Sequence, residues 1–213
     1  TIGIIQVKGG AGRSTVSTNL AGELSKIGKT VLIDCDMPQG TSASWYSVRE
    51  QAGKASNLVA DTATNHRELV AKVEQYQDAD FIVLDGPPRI AELTRAILVL
   101  ADLCLIPVGA SAAEIWATSD LLALIEEAKQ VKPVNARMIW TRYRAHTRLA
   151  QELSELATKE LGLVALSTTL GMRVAYMEAL GDGLTAGELS EPSAKAEVKS
   201  LIDEIQKLLR KKP

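Results

Sequence analysis

The sequence has few of the residues that build metal, redox and membrane-spanning proteins. It contains two cysteines and two histidines in 213 residues. Cys35 and Cys104 both lie in apolar, strand-like segments, where buried and reduced thiols are expected. His66 and His146 are too far apart in the sequence to indicate a metal site or a catalytic triad. No apolar stretch reaches the ~20 residues that a membrane-spanning helix needs.

Aromatic content and net charge are also low. Phe, Trp and Tyr make up 4% of the chain, and we expect Trp45, Trp116 and Trp140 to be packing residues rather than stacking platforms. The formal net charge of −2 does not indicate a nucleic-acid-binding protein. Basic residues are nevertheless in excess over residues 132–213 and acidic residues over 1–131, which leaves room for a local basic face.

What the chain does contain is an alternation of apolar, strand-like runs with segments of helical periodicity. This alternation predicts right-handed βαβ units and an α/β fold, with a doubly wound, mainly parallel sheet and helices on both faces. A chain of 213 residues fits one large domain, and we expect residues 1–213 to form a single one. The predicted strands are 2–7, 30–34, 80–84, 102–107, 135–140 and 163–166, and the predicted helices are 15–27, 41–52, 66–77, 89–100, 114–130, 147–161 and 194–210.

The most informative segment runs from Lys8 to Thr15, between the first predicted strand and the first predicted helix. Its three glycines, Gly9, Gly10 and Gly12, let the backbone approach an anion closely and turn N–H groups toward it. The first turn of the following helix adds unpaired N–H donors and a partial positive charge. The pattern predicts a phosphate-binding loop; the alternative is a glycine-rich turn in another doubly wound protein.

Acidic residues follow two later strands. Asp36 lies in the segment 34–40, at the end of the second predicted strand, and Asp85 follows the apolar residues 81–84. An aspartate at a strand end near Mg-ATP can orient a water molecule or hold the metal, and the hydroxyl of Ser14 or Thr15 can bind the same ion. The alternatives are a helix-capping role for Asp36 and an ordinary buried strand end at Asp85.

These segments resemble the motifs of the ParA/MinD family of P-loop ATPases. Residues 8–15 are similar to the deviant Walker A motif K-G-G-x-G-K-[ST], and 34–40 to the box D-x-D-P-Q-G with Met37 inserted. Residues 81–88 resemble a Walker B strand with the switch segment that follows it, and 101–117 a fourth family segment. The resemblance is strongest to short, plasmid-type partition proteins of the ParF kind.

The resemblance implies a slow ATPase with the P-loop NTPase fold, with ATP and Mg²⁺ as cofactors, which forms an ATP-sandwich homodimer. Lys8 would reach across the dimer to the partner's phosphates, and Asp36 would position the attacking water. The implied catalytic residues are Lys8, Asp36 and Arg13; the nucleotide-binding residues are Lys8, Gly9, Gly10, Ala11, Gly12, Arg13, Ser14, Thr15, Thr141 and Arg142; and the metal-binding residues are Ser14, Asp36 and Asp85.

Arg13 is the main departure from the family pattern, which has lysine at this position. Arginine keeps the positive charge, and its planar fork can bond two phosphate oxygens, but it cannot copy a point-charge ammonium. We expect nucleotide binding to survive and leave the hydrolysis rate open. A nucleotide-gated binding module with negligible hydrolysis is therefore one alternative.

The resemblance further implies plasmid or chromosome segregation in the cytoplasm, with a ParB-like centromere-binding partner and nonspecific DNA binding on the nucleoid in the ATP state. Arg173, Lys195 and Lys199 are the candidate DNA-contacting residues, against the alternative of ordinary solvated surface charge. Two further alternatives are the positioning of a protein assembly and a MinD-like membrane switch. A stable membrane association is not expected, because the amphipathic tail over 198–212 is predicted to pack on the sheet.

Overall fold

The computed structural model describes residues 1–89, 92–145 and 147–210. Within these residues the chain forms one parallel sheet of six strands, in the order β3-β2-β4-β1-β5-β6, together with eight helices. The predicted α/β fold with a doubly wound parallel sheet is therefore confirmed. The strands are β1 (Ile2–Ile4), β2 (Thr30–Asp34), β3 (Leu58–Thr62), β4 (Phe81–Asp85), β5 (Leu103–Gly109) and β6 (Ala136–Thr141), and the helices are α1 (Arg13–Leu24), α2 (Thr41–Gln51), α3 (His66–Gln75), α4 (Glu92–Leu100), α5 (Ala112–Lys129), α6 (Arg148–Leu161), α7 (Val174–Gly181) and α8 (Pro192–Arg210).

Helices cover both faces of the sheet, so alternate residues of a central strand pack into two different cores. In β2, Val31 and Ile33 pack with residues of α3, α4, α5 and α6, whereas Leu32 packs with residues of α1, α2, α7 and α8. Each such side chain stabilises the fold by about 1.5–3 kcal/mol when fully buried. Burial on both faces explains why the strands read as continuous apolar runs in the sequence.

The apolar stripe of α8 is part of the second core. Val198, Leu201 and Ile205 are buried there, as predicted for a tail that packs on the sheet. Residues 211 and 212 of that predicted tail lie outside the described residues. Across the part of the chain that the structure describes, no helix combines the length and the hydrophobicity needed to cross a membrane.

The predicted strands are wrong in two places. Strand β3 was missed because it lies at the edge of the sheet: only Leu58 of its five residues is buried, and Val59 is 43% exposed, so no apolar run marks it. The segment 163–166 was predicted as a strand, but it makes only one isolated bridge, between Ala165 and Met138, and is not one of the six strands of the sheet.

The predicted helices differ mainly at α7, which was missed. This helix has only eight residues, and its apolar side chains Val174 and Met177 are exposed, so it shows no amphipathic pattern. The predicted helix 89–100 begins at Glu92 in the structure, and residues 90 and 91 lie outside the described residues.

The strand order brings the loops that follow several strands to one edge of the sheet. Strand β1 lies between β4 and β5, and the paired residues include Ile4 with Asp85. In the next pair, Asp34 at the end of β2 lies opposite Asp85 at the end of β4. Ligands of open α/β sheets bind at this edge, where the strand order reverses.

Helix α1 is fixed at its middle to the segment that follows α7. The Oδ1 atom of Asn19 accepts a hydrogen bond from the backbone N–H of Ala186 at 2.7 Å, and the hydroxyl of Thr185 donates to Glu23. Gly22 permits this close approach, because a Cβ atom there would lie 2.4 Å from Cγ2 of Thr185 and 3.3 Å from the ring of Trp45.

We expect Gly22→Ala to lower the free energy of unfolding by about 1–3 kcal/mol, because the added methyl group overpacks a closed contact. Urea unfolding measures the change. The matched control is Gly181→Ala at the end of α7, where a Cβ atom would meet nothing within 4 Å. That helical substitution should be neutral or stabilising by up to ~1 kcal/mol; equal losses in the two variants would contradict the packing argument.

A buried arginine ties α2 to the same segment. The guanidinium of Arg49 donates to both carboxylate oxygens of Glu188, at 2.8 and 2.9 Å, and to the carbonyl oxygen of Gly183 at 3.0 Å, and it lies over the ring of Trp45. Burial raises the pKa of Glu188, but the bonds from Arg49 and from the N–H of Thr185 outweigh it and lower that pKa from 4.5 to about 2.

This pair predicts a pH-dependent contribution to stability. Because the folded pKa of Glu188 lies below the unfolded value, the stabilisation is present above pH ~4.5 and is lost as the pH falls toward 2; the shift corresponds to about 3 kcal/mol at most. Glu188→Gln should therefore destabilise the protein at pH 7 and much less at pH 3. Glu152→Gln, which removes an exposed pair with Arg148, is the control and should cost under ~0.5 kcal/mol. A Glu188→Gln loss that is the same at both pH values would disprove the linkage.

Candidate nucleotide site

The loop between β1 and α1 has the backbone conformation of an anion cradle. Gly10 and Gly12 adopt positive φ angles of 77° and 97°, which favour glycine. A Cβ atom on Gly12 would also lie 3.2 Å from Cγ2 of Thr141. The first turn of α1 carries no acidic residue and no side-chain cap, so its N–H groups and the positive end of the helix dipole stay available to a phosphate.

Two buried carboxylates lie beneath this loop, at the ends of β2 and β4. Asp34 accepts hydrogen bonds from the backbone N–H groups of Asp36 and Ala43, both at 2.9 Å. Asp85 accepts one from the hydroxyl of Ser42. Burial, together with the charge of Asp34, raises the pKa of Asp85 to about 6. Three neighbouring serine hydroxyls act against this rise but do not cancel it.

The donor set at this point fits a magnesium ion. The Oδ1 atom of Asp85 is buried and receives no hydrogen bond, and Ser14 lies in the first turn of the helix that the loop enters. Magnesium binds proteins through one or two carboxylates and completes its shell with waters and substrate phosphates. The described residues contain no group of three or more His, Cys, Asp or Glu side chains that could hold a metal alone.

The guanidinium of Arg13 is bound to protein oxygens. The sequence led us to expect a guanidinium directed at phosphate oxygens; in the structure it is buried and donates to protein oxygens. Its Nε atom donates to the carbonyl oxygen of Gly86 at 2.9 Å, and one terminal nitrogen donates to those of Gln6 and Lys8 at 2.8 and 3.0 Å. The other terminal nitrogen lies 3.2 Å from Oδ2 of Asp36.

Lys8 and Arg142 meet at one carboxylate on the rim of the site. Glu114, almost buried at the start of α5, lies 3.5 Å from Nζ of Lys8 and 2.6 Å from a guanidinium nitrogen of Arg142. It also accepts the backbone N–H of Gly109. The ion pair of Lys8 is the longer of the two, so Lys8 is the more easily released of the two cations.

The structure brings most of the predicted nucleotide-site residues together. The three candidate DNA-contacting residues lie outside this site. Thr141, expected near the base, donates its hydroxyl to the carbonyl oxygen of Ala11 at 2.8 Å and so adjoins the loop. Arg173, a candidate DNA-contacting residue, is instead paired with Glu191 and Glu197, which hold its pKa above the ordinary value. The other two candidates, Lys195 and Lys199, lie on α8.

Two functional-site residues were not singled out from the sequence. Asp34 is the first residue of the segment 34–40, but no role is predicted for it from the sequence. Its place beside Asp85 follows from the parallel register of β2 and β4. Glu114 had no signal at all, because its contacts with Lys8 and Arg142 join positions that are distant in the sequence.

Comparisons with known proteins identify relatives over most of the chain. Residues 1–76 match the sequence model of a family described as an AAA domain. The chain is 28% identical over 214 residues to the maintenance of carboxysome distribution protein A of Halothiobacillus neapolitanus, and the alignment covers 98% of this chain and 94% of that protein. It is 28% identical over 217 residues to the chromosome-partitioning ATPase Soj of Thermus thermophilus, with 88% and 87% covered.

Solved structures share the fold at lower identity. The ATP complex of an McdA variant from Cyanothece has a TM-score of 0.79 and 16% identity, covering 96% of this chain and 95% of that one. The septum site-determining protein MinD of Pyrococcus horikoshii, complexed with Mg-ADP, has a TM-score of 0.78 and 18% identity, covering 97% and 96%. These likenesses show that the fold is that of the P-loop nucleoside triphosphatases.

The relatives that align with most of the chain indicate a particular group among the P-loop nucleoside triphosphatases. The chain resembles ParA/MinD-type ATPases over most of its length, and the resemblance predicted from its motifs is confirmed.

Proposed function

We propose that this protein binds Mg-ATP in the loop 8–15, closes into a homodimer around two nucleotides, and hydrolyses them slowly to drive the segregation of a plasmid or chromosome. The observation that carries the proposal is a glycine-rich loop with left-handed glycines and an exposed Lys8, which leads into a helix with an uncapped N-terminus. The unpaired oxygen of Asp85 at the end of β4 adds a candidate metal ligand. All of residues 1–213 would act as one ATPase domain.

Different backbone and side-chain groups of the protein would bind different parts of the nucleotide. The backbone N–H groups of residues 9–15 would hold the phosphates, and Thr141 and Arg142 would lie beside the base, because both flank the loop at the end of β6. Ser14 and Asp85 would hold Mg²⁺, with Asp36 close by. When bound, the ion would neutralise part of the charge on the phosphates.

Lys8 would couple nucleotide binding to dimerisation. Two facing ATP molecules repel each other unless cations intervene, and a charge at ~4 Å in a partly desolvated site is worth about 4 kcal/mol at an effective dielectric constant of ~20. The long contact of Lys8 with Glu114 leaves its ammonium free to move to a partner's phosphates. Dimerisation would thus depend on ATP and end with hydrolysis, in which Asp36 orients the attacking water.

DNA segregation with a ParB-like partner is the first candidate cargo function, supported by the Soj relative. Nonspecific DNA binding on the nucleoid, in the cytoplasm, would use Lys195 and Lys199, with Arg173 contributing less because two glutamates already neutralise it. Neutralising six phosphates per dimer would make log K fall with log salt at a slope of about −5.

A second candidate is the positioning of a protein assembly. It is favoured by the carboxysome distribution relative, whose alignment spans nearly all of both chains. A small ParB-type gene beside this one would favour DNA as cargo, and genes for a protein assembly would favour the second candidate. A membrane switch driven by α8 would first have to undock Val198, Leu201 and Ile205 from the core.

Sizing by light scattering tests the switch. We expect a dimer with Mg-ATP, a monomer with ADP or without nucleotide, and a monomer under all three conditions for Lys8→Ala, because the variant lacks the cation that offsets phosphate repulsion. The exposed residue Lys54 provides the control: Lys54→Ala should behave as the wild type. The same dimer under every condition would rule out an ATP-dependent switch.

Asp36→Asn tests hydrolysis separately from binding. The variant should still dimerise with Mg-ATP but lose about 10²–10⁴-fold in turnover, because an amide cannot accept a proton from the attacking water. Removing magnesium with EDTA should abolish turnover in the wild type. Asp203→Asn, at an exposed position of α8, is the control for a lost carboxylate. Wild-type turnover in Asp36→Asn would exclude this residue as the one that orients water.

A further inference from the structure

The guanidinium of Arg13 joins three separate loops of the site. Its partners are the carbonyl oxygens of Gln6 and Lys8 before and within the glycine-rich loop, that of Gly86 after β4, and the carboxylate of Asp36 after β2. The residue is 7% exposed. Every nitrogen of the guanidinium group therefore has at least one protein acceptor.

Moving this side chain to a phosphate would undo these contacts. The residues Gln6 and Gly86 are buried, so their carbonyl oxygens would lose a charged donor in a place where water is scarce. Gly86 itself cannot shift to compensate, because it is packed so closely that a Cβ atom would lie 2.7 Å from the carbonyl oxygen of Ile4. The arginine is built into the fold beneath the loop.

We propose that Arg13 is a positioning residue that holds Asp36 for catalysis and does not bind the phosphates. This inference rests on the proposed ATPase function and changes one role within it: the positive charge of the cradle comes from Lys8 and the end of α1. The planar fork is what the position requires, because a lysine has no rigid set of donors that can reach four acceptors in different directions.

The geometry at Asp36 is suited to orienting a water molecule. Its Oδ2 atom takes the bond from Arg13, while its backbone N–H is fixed by Asp34. Among the described residues no hydrogen bond reaches its Oδ1 atom, which is left to accept one from a water. A carboxylate with one oxygen bound to arginine keeps a fixed direction, so its part is to aim the water.

The kinetic test compares Arg13→Lys with the wild type. If Arg13 positions Asp36, the variant should keep its ADP and ATP dissociation constants within threefold and lose at least tenfold in kcat, because the new side chain keeps the charge but not the four contacts. If Arg13 binds phosphate as the usual lysine does, Arg13→Lys should hydrolyse ATP at the wild-type rate or faster. The second result overturns the inference.

The binding test uses Arg13→Gln and ADP. Loss of a phosphate ligand should weaken ADP binding tenfold or more, whereas loss of a positioning residue should leave it within threefold. Lys8→Ala is the comparison for ATP-dependent dimerisation, which Arg13→Gln should retain if it does not bind phosphate. A tenfold loss of ADP affinity in Arg13→Gln, with native circular dichroism, overturns the inference.

A double-mutant cycle in the nucleotide-free protein keeps the test independent of activity. The Tm losses of Arg13→Gln and Asp36→Asn should be non-additive by at least about 3 °C, since the two side chains share one ion pair. The control pairs Arg13→Gln with Glu204→Gln, whose carboxylate binds the backbone at Ser167 and Thr168 instead, and should be additive. Additivity in both cycles overturns the inference.

The two hypotheses fail in different ways. If the wild type binds no adenine nucleotide, the proposed function fails, while the cycle still reports whether Arg13 holds Asp36. If the wild type binds and hydrolyses ATP but Arg13→Lys is as active, the proposed function stands and the positioning role is wrong.

Discussion

Asp34 and Asp85 lie opposite each other at the ends of β2 and β4, and both are almost completely buried. Asp34 balances its charge with two backbone N–H donors, whereas Asp85 has the hydroxyl of Ser42 and one oxygen without a partner. Two like charges in a medium of low dielectric repel each other, and one of them is driven toward its neutral form. A cation placed at this point would relieve the repulsion between the two carboxylates.

The rim of the site carries positive charge, in contrast to the two buried carboxylates. Lys8 and Arg142 share the single carboxylate of Glu114, which leaves an excess of positive charge on the side where the loop is open. A metal-bound triphosphate, the ligand proposed for this site, would meet cations outside and carboxylates inside. This arrangement would orient the ligand by charge, before any specific hydrogen bond is made.

Sequence patterns predicted the parts of this site that depend on local chemistry. These parts are the glycine-rich loop, the helix that follows it and the acidic residues at strand ends. Each of them is a short segment of continuous sequence, and each occupies the predicted place in the fold. The roles of Asp34 and Glu114 depend on register and on contacts between distant segments, which no local pattern encodes. Strand β3 and helix α7 were not predicted from the sequence for a related reason. An edge strand and a short, partly exposed helix carry no clear apolar periodicity. Arg13 was noticed as a departure, but its direction could not be deduced, because a guanidinium can reach phosphate or protein oxygens from the same Cα position.

The direction of Arg13 follows from the way α1 is held. Asn19 and Glu23 fix the helix to the segment after α7, and Gly22 lets it lie flush against Thr185. The Cα atom of Arg13, in the first turn of the same helix, is then a fixed point in the fold. The side chain of Arg13 is thus held at both ends, by the helix at its Cα atom and by four hydrogen bonds at its guanidinium group. Any rearrangement of the site must therefore be taken up by the loops that Arg13 contacts, which include those of Asp36 and Gly86.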